Sequence, residues 1–306
     1  MGTTFEDIYT DVINRLGFKI NDSALLTKVK NYINDNYKLI ANKYDWRWLY
    51  AKSTITTIAV YETGTVSLTN GSAIVTGSGT TFTEAMEGKK FKSANWDEIY
   101  TIDSVESSTS LTLDNEFNGD TITAGTYDIF QDIYALPTDC DQIVSLRQHL
   151  NPIKLDNIGL RELFRLNPSP IIEETDPTKY AYYEQDSSGN QQIILWPPPY
   201  RQIILDIEYK KLITELSTTT DEPLIPEQYR QILKIMTMVD VYAHEKDDTR
   251  FQYFDAKAMA MIAEMKGKFT NTDDNKCFVP ETKRQSSCSL QALANRYDLG
   301  DFFDRA

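Results

Sequence analysis

The chain has only three cysteines and two histidines in 306 residues. Cys140, Cys277 and Cys288 are scattered, with no Cys-x-x-Cys pair. That argues against a disulfide framework and against a structural zinc site. Cys277 and Cys288 lie in a polar stretch and read as exposed thiols of a reducing compartment. Neither His149 nor His244 accompanies a Gly-x-Ser-x-Gly nucleophile motif. A His-Glu-x-x-His pair, a P-loop and a dinucleotide fingerprint are also missing. Gly77-Ser78-Gly79-Thr80-Thr81 superficially suggests a phosphate loop, but it lacks the Gly-Lys-Ser/Thr end and reads as a hairpin tip. Among 45 acidic residues some carboxylates pair by chance, so no glycosidase pair is nominated. The expectation is no enzyme, no cofactor and no metal. Apolar runs are short and broken by charge, so no membrane span is expected. The N-terminus, Met-Gly-Thr-Thr-Phe-Glu-Asp, has no signal-peptide pattern, which suggests a protein made and assembled in a cytoplasm.

Positive charge is also scarce. With 31 basic against 45 acidic residues the net charge is −14. Such a field repels nucleic acid and disfavours sequence-reading of DNA. It suits plain solubility, or a conduit that DNA slides through without sticking.

What the chain does have is helical periodicity at both ends. Phe5, Ile8, Tyr9, Val12, Ile13 and Leu16 fall on one helical face, closed by Gly17. Asn21-Asp22-Ser23 offers a cap for a second helix with Leu26, Val29, Tyr32, Ile33, Tyr37 and Ile40. Four aromatics within Tyr44–Tyr50 read as an anchor where a helix packs onto a sheet, or as a binding platform. Farther on, Pro226 suits a first helical turn. Tyr229, Ile232, Leu233, Met236 and Val239 continue a face, Lys246-Asp247-Asp248 breaks it, and Asp247 or Asp248 caps the next helix. Phe251, Phe254, Ala258, Met261, Ile262 and Met265 repeat the spacing, and Gly267 ends it. The short break predicts an antiparallel helical hairpin. Tyr229, Met236, Phe251, Phe254, Met261 and Met265 pack a core, or reach neighbouring subunits.

Between these ends the pattern is β. From Ser53 strand formers dominate. Residues 64–134 hold short, evenly spaced strands with Ser/Thr/Gly turns, Asn70-Gly71 being the strongest hairpin signal. This segment has three lysines and no arginine, and reads as an inserted sandwich or barrel. Gln142–Leu150 reads as a strand with Ile143, Ser145, Arg147 and His149 opposite Val144, Leu146 and Leu150. Lys154–Leu166 reads as a short helix stopped by Asn167-Pro168-Ser169-Pro170. Gln192–Trp196 and Ile203–Tyr209 are strands, with Pro197-Pro198-Pro199 confined to a strand end or edge. The predicted class is α+β: a helical bundle with an antiparallel β portion (1–63 with 135–268), an inserted all-β domain (64–134) and an extended tail (269–306). The tail is polar to Ser289, then carries Leu290, Leu293, Tyr297, Leu299, Phe302 and Phe303. So apolar an end either docks on a partner or folds back on its own body.

Tyr134-Ala135-Leu136-Pro137, Asp176-Pro177-Thr178-Lys179-Tyr180, Ile194-Leu195-Trp196-Pro197-Pro198-Pro199, Ile207-Glu208-Tyr209 and the run Thr220–Tyr229 occur in an order that resembles the head-to-tail adaptor proteins of tailed bacteriophages. Asp45-Trp46-Arg47-Trp48 fits the same pattern. Gly71–Phe82 followed by Tyr100-Thr101-Ile102 resembles a β module of phage structural proteins. The resemblance implies a virion protein at the head–tail interface, a ring of usually twelve copies beneath the portal protein. Its lumen would pass DNA without reading it. It implies a C-terminal segment that docks on the portal, and contacts to a downstream nozzle or fibre protein. The insert tips at Asn70, Gly71, Gly77 and Gly79 are expected to make such contacts from the outside of the ring. The alternative is a receptor- or carbohydrate-binding or fibre-docking tail component using Trp96 and Tyr100. A fibre would usually carry long repeats or coiled-coil heptads, and neither is present.

Overall fold

The computed structural model describes residues 2–17, 23–94, 96–151, 153–166, 175–245 and 247–270. The expected tail contacts Leu290, Leu293, Tyr297, Leu299, Phe302 and Phe303 lie outside these residues, as do Cys277, Cys288, the Asn21-Asp22 cap and the Asn167–Pro170 stop. The fold is α+β, with five α-helices and antiparallel sheets among the described residues. It divides into two compact units. One joins the described residues of 1–49 to those of 215–270; the other comprises those of 50–214.

The first unit is helical. α1 (Phe5–Leu16) starts at a reciprocal cap: the Thr4 hydroxyl accepts from the Asp7 amide, and the Asp7 carboxylate accepts from the Thr4 amide. Gly17 closes it at φ 74°, left-handed backbone that glycine adopts without steric cost. Phe5, Ile8, Tyr9, Val12 and Ile13 are buried, the face read from the spacing. α2 (Ser23–Lys43) buries Val29, Ile33, Tyr37 and Ile40. Trp46 follows it, fully buried, its indole N–H donating to the Ile40 carbonyl at 2.7 Å. The aromatic run is therefore partly an internal anchor: Trp46 meets Tyr44 edge-on and stacks on Trp48.

α4 (Gln231–Glu245) packs against α1, α2 and α5 (Asp248–Phe269). Its buried residues, Ile232, Leu233, Ile235, Met238, Val241 and Tyr242, run around much of its circumference, as a central helix requires. Buried Thr237 donates its hydroxyl to the Leu233 carbonyl, so no polar group is left unpaired there. Two predicted boundaries shift. Pro226 opens a 3₁₀ turn (Glu227–Tyr229), and the α-helix begins only at Gln231. Gly267 lies within α5, which runs on to Phe269 because Thr270 caps the Lys266 carbonyl with both its amide and its hydroxyl. Asp247 caps α5 as read, accepting from the Arg250 amide.

The second unit holds three sheets. β1 (Tyr50–Thr56), β14 (Ile204–Lys211) and β10 (Cys140–Gln148) form an antiparallel sheet in that order. β11 (Asp156–Asn157), β12 (Lys179–Gln185), β13 (Gln191–Trp196) and β9 (Ile133–Ala135) form another, with β11 parallel to β12. Ile55, Leu146, Leu205 and Ile207 of the first share one core with Tyr134, Tyr180, Ile193 and Leu195 of the second. The alternation read along 142–150 does not hold. Register shifts at Cys140/Gln142 and Ile143/Ser145 change the parity, so Ile143, Leu146 and Gln148 all face inward. Of the helix expected from Lys154 only α3 (Leu160–Leu166) forms, because Asp156 and Asn157 pair with β12 instead.

The remaining strands make one seven-stranded antiparallel sheet: β2 (Thr65–Leu68), β3 (Ile74–Ser78), β4 (Lys90–Ser93), β5 (Ile99–Ser107), β6 (Ser110–Leu113), β7 (Ile122–Gly125) and β8 (Tyr127–Phe130), in the order β7-β2-β3-β6-β5-β4-β8. Its two edge strands, β7 and β8, are separated by Thr126 alone. Flat, seven strands at about 4.8 Å spacing would hold those edges roughly 29 Å apart. One residue cannot bridge that, so the sheet must curl. Val66, Val75, Phe91, Leu111, Phe117 and Tyr127 fill the concave side. At one corner Gly64 sits at φ 83°, and a Cβ there would meet the Ser78 carbonyl oxygen at 2.5 Å. Gly77 belongs to β3 rather than to a tip; the turn residue is Gly79, at φ 70°.

Candidate interaction surfaces

The hairpin residues named from the sequence are placed as follows. Tyr229 and Met265 are buried, while Met236, Phe251, Phe254 and Met261 are half-buried. Phe254 stacks on Tyr242 at 5.5 Å between ring centroids, and Tyr229 meets Phe269 edge-on at 5.8 Å. The Tyr229 hydroxyl also donates to Glu264, which pairs with Lys268. α5 shows solvent the face bearing Tyr253 and Met259.

In the curled sheet, Asn70 and Gly71 are exposed but anchored. The Asn70 side-chain amide donates to the Gly119 carbonyl, and the Gly71 amide to the Phe117 carbonyl. Gly79 is exposed, whereas Gly77 is half-buried with Thr80 and Phe82 where a Cβ would stand. The aromatic pair read as a possible carbohydrate platform is used internally. Tyr100 is buried, and Trp96 packs against Phe117 with Gly119 closing on it.

Two surfaces escaped the sequence reading. The first is a turn at the end of β10. Gln148 donates its amide to Ile153, Asn151 donates to Gln148, and His149 donates to Ile204 on β14. This geometry brings Leu150, Ile153 and Ile204 together at one end of the three-stranded sheet. Leu150 is 94% exposed, an unusual place for a large aliphatic side chain, with Ile153 and Ile204 each nearly half exposed. Arg147, His149 and Lys154 flank it. Beside the turn, Asp206 accepts from His149 Nδ1 at 2.9 Å and pairs with Arg147. Asp206 and Arg147 also border a shallow polar depression of about 290 Å³ on the outer face of this sheet, with Lys52, Thr54, Ser145 and Glu208.

The second is an apolar cleft of about 230 Å³ between α3, β13, β9 and the curled sheet. Ile99, Ile133, Leu163, Phe164, Tyr183, Ile194, Trp196 and Pro198 line it, with Lys90 and Asp132 as its charged members. Phe164 and Leu166 stand at the end of α3, each nearly half exposed. The sequence signal was a short apolar helix directly before an Asn-Pro break, but only the sheet packing makes it a wall. Before β12, Arg201 holds Asp176 with two parallel bonds of 2.9 and 2.7 Å, which lowers the Asp176 carboxyl pKa.

Asp132 is only 5% exposed, and burial raises its carboxyl pKa against the opposing pull of Lys90. A carboxyl whose folded pKa lies above its unfolded value costs stability when ionised. That cost disappears as pH falls below the unfolded value. Asp132→Asn is therefore expected to raise the melting temperature at about pH 7, with the gain shrinking toward about pH 4. Paired thermal melts at the two pH values check this.

No helix among the described residues is long and apolar enough to cross a membrane, and none of their His, Cys, Asp or Glu side chains form a group of three or more suited to a metal. No curated protein matches the chain. A family model does, from residue 94, between β4 and β5, to residue 280, beyond α5. With well over half of its length covered by that match, the chain belongs to the SU10 adaptor protein family and is a phage structural adaptor.

Proposed function

We propose that the chain forms a ring, of twelve copies as the sequence resemblance implies, that joins the portal vertex of a phage capsid to the tail and continues the DNA channel. The observation that carries this reading is the adaptor-family match, which runs from β5 through the α4–α5 pair. The excess of acidic residues supports a lumen through which DNA passes without adhering. In this reading Leu290, Leu293, Tyr297, Leu299, Phe302 and Phe303 dock on the portal protein. The half-buried Met236, Phe251, Phe254 and Met261 hold the helical unit to neighbours or portal, while Tyr229 and Met265 pack its own core. The exposed turn residues Asn70, Gly71 and Gly79 meet the next tail or fibre protein from the outside of the ring. The protein acts by assembly and carries no catalytic step, cofactor or metal. It joins the virion in the host bacterial cytoplasm.

The test is co-sedimentation with the cognate portal, using the full chain and a version ending at Lys268. The full chain is expected to co-sediment as a saturable complex, with the truncated chain bound at least about tenfold more weakly once the apolar end is lost. Equal binding by both versions would remove the docking role of the tail. Binding by neither would remove the adaptor–portal reading.

A further inference from the structure

We propose that Asn118 is a site of spontaneous deamidation, and that its conversion releases the Asn70-Gly71 turn for the same reaction. The inference rests on the curled sheet alone and does not need the ring reading.

An asparagine followed by glycine can close on itself. The glycine amide nitrogen attacks the asparagine Cγ and forms a new C–N bond. The bond from Cγ to Nδ2 breaks, and Nδ2 leaves as ammonia with the amide proton. Solvent water then opens the succinimide at either carbonyl. One product is aspartate. The other is isoaspartate, whose main chain runs through the former side chain and is longer by one carbon. Glycine favours the attack because it has no Cβ and moves freely in φ and ψ. Asparagine counts among the thermolabile residues.

The chain has two Asn-Gly steps, at 70–71 and 118–119. The curled sheet brings them together but holds them differently. At Asn70 both reacting groups are tied. Nδ2, the leaving nitrogen, donates to the Gly119 carbonyl at 2.9 Å. The Gly71 amide, the attacking nitrogen, donates to the Phe117 carbonyl at 2.8 Å. Ring closure there must first break both bonds. Asn118 is exposed, and only its backbone amide is held, donating to the Tyr100 hydroxyl at 3.2 Å. Among the described residues, neither its side chain nor the Gly119 amide has a hydrogen-bond partner.

The two acceptors that tie the Asn70 step flank Asn118, at Phe117 and Gly119. Isoaspartate at 118 inserts a carbon between them. Gly119 is buried, with Phe117 and Trp96 standing where a Cβ would be, so it cannot shift that way to absorb the extra length. The spacing of the two carbonyls then no longer matches Asn70 and Gly71, and the turn loses both anchors. Each conversion also adds a negative charge, the first of them among the exposed Asp114, Glu116 and Asp120.

The test is a time course on the full chain at neutral pH, with tryptic peptides read by mass spectrometry. Asn70 and Asn118 fall on separate peptides, 53–89 and 93–147. Fragment ions locate the conversion, and isoaspartyl methyltransferase labelling reports the longer product. Asn118 is expected to convert about tenfold faster than Asn70, as two extra hydrogen bonds to break imply, with Asn70 following after a lag. In guanidinium-unfolded chain the two are expected to convert at similar rates. Asn118→Gln, a change at an exposed side chain, is expected to leave Asn70 intact over the same period. Native chain in which Asn70 converts first, or in which Asn118 stays intact while the unfolded chain converts, would overturn the proposal. Unchanged Asn70 conversion in Asn118→Gln would overturn the coupling between the two steps. None of these outcomes bears on the adaptor reading.

Discussion

Trp46→Ala is expected to lower the stability of the helical unit by about 3–5 kcal/mol, the range for removing a large aromatic from a core. Trp46 is fully buried directly after α2. Deleting the indole removes the Trp48 stack and the Tyr44 edge contact, and it leaves the Ile40 carbonyl without its 2.7 Å donor. Cavity and orphaned acceptor act in the same direction. Trp46→Phe keeps most of the volume and loses only the N–H, so about 1–2 kcal/mol is expected for it. Urea titration followed by helical ellipticity separates the two. Similar losses for both variants would show that the indole fills no constrained space.

Arg230→Leu is expected to cost about 2–3 kcal/mol, and Arg230→Lys nearly as much. Arg230 is buried, and its guanidinium works as a fork. Nε donates to the Ile225 carbonyl, while Nη1 donates to the Thr3 carbonyl and to Glu222, with Glu227 at 3.2 Å. It ties the residues before α1 to the loop before α4. Glu222 and Glu227 are about half exposed and keep their water when the cation is lost, so most of the cost falls on the two carbonyls. An ammonium is a point charge and cannot serve both carbonyls from one position. Proteolysis in the first residues of the chain, alongside urea titration, reads the loss. Full retention of stability by Arg230→Lys would show that charge, not the fork, is what matters.

The helices were readable because their signals are local. The α1 face and its Gly17 cap lie within 13 residues of chain, and the Asp247 cap sits directly before α5. The start of α4 was misjudged because Pro226 is equally at home in the 3₁₀ turn that precedes it. The β10 face was misjudged for a different reason. Two bulges change its parity, and only pairing with β14 reveals them. β11 was hidden because two residues carry no periodicity, and their strand character comes from β12. The curled sheet announced its short strands and its Asn70-Gly71 turn, but its order brings β7 and β8 to opposite edges, which no local pattern encodes. The Leu150 turn and the α3 cleft were the least visible. Leu150 reads as one more apolar residue of a strand, and the cleft draws on β4, β5, β9, β13 and α3 at once.

The most direct measurement is a density map of the intact virion with this chain located in it. The account predicts a closed ring of this chain around the axial channel, between the portal and the next tail protein, with the curled sheet on its outer side. Finding the chain at a fibre tip, or off the axis in the capsid shell, would contradict it.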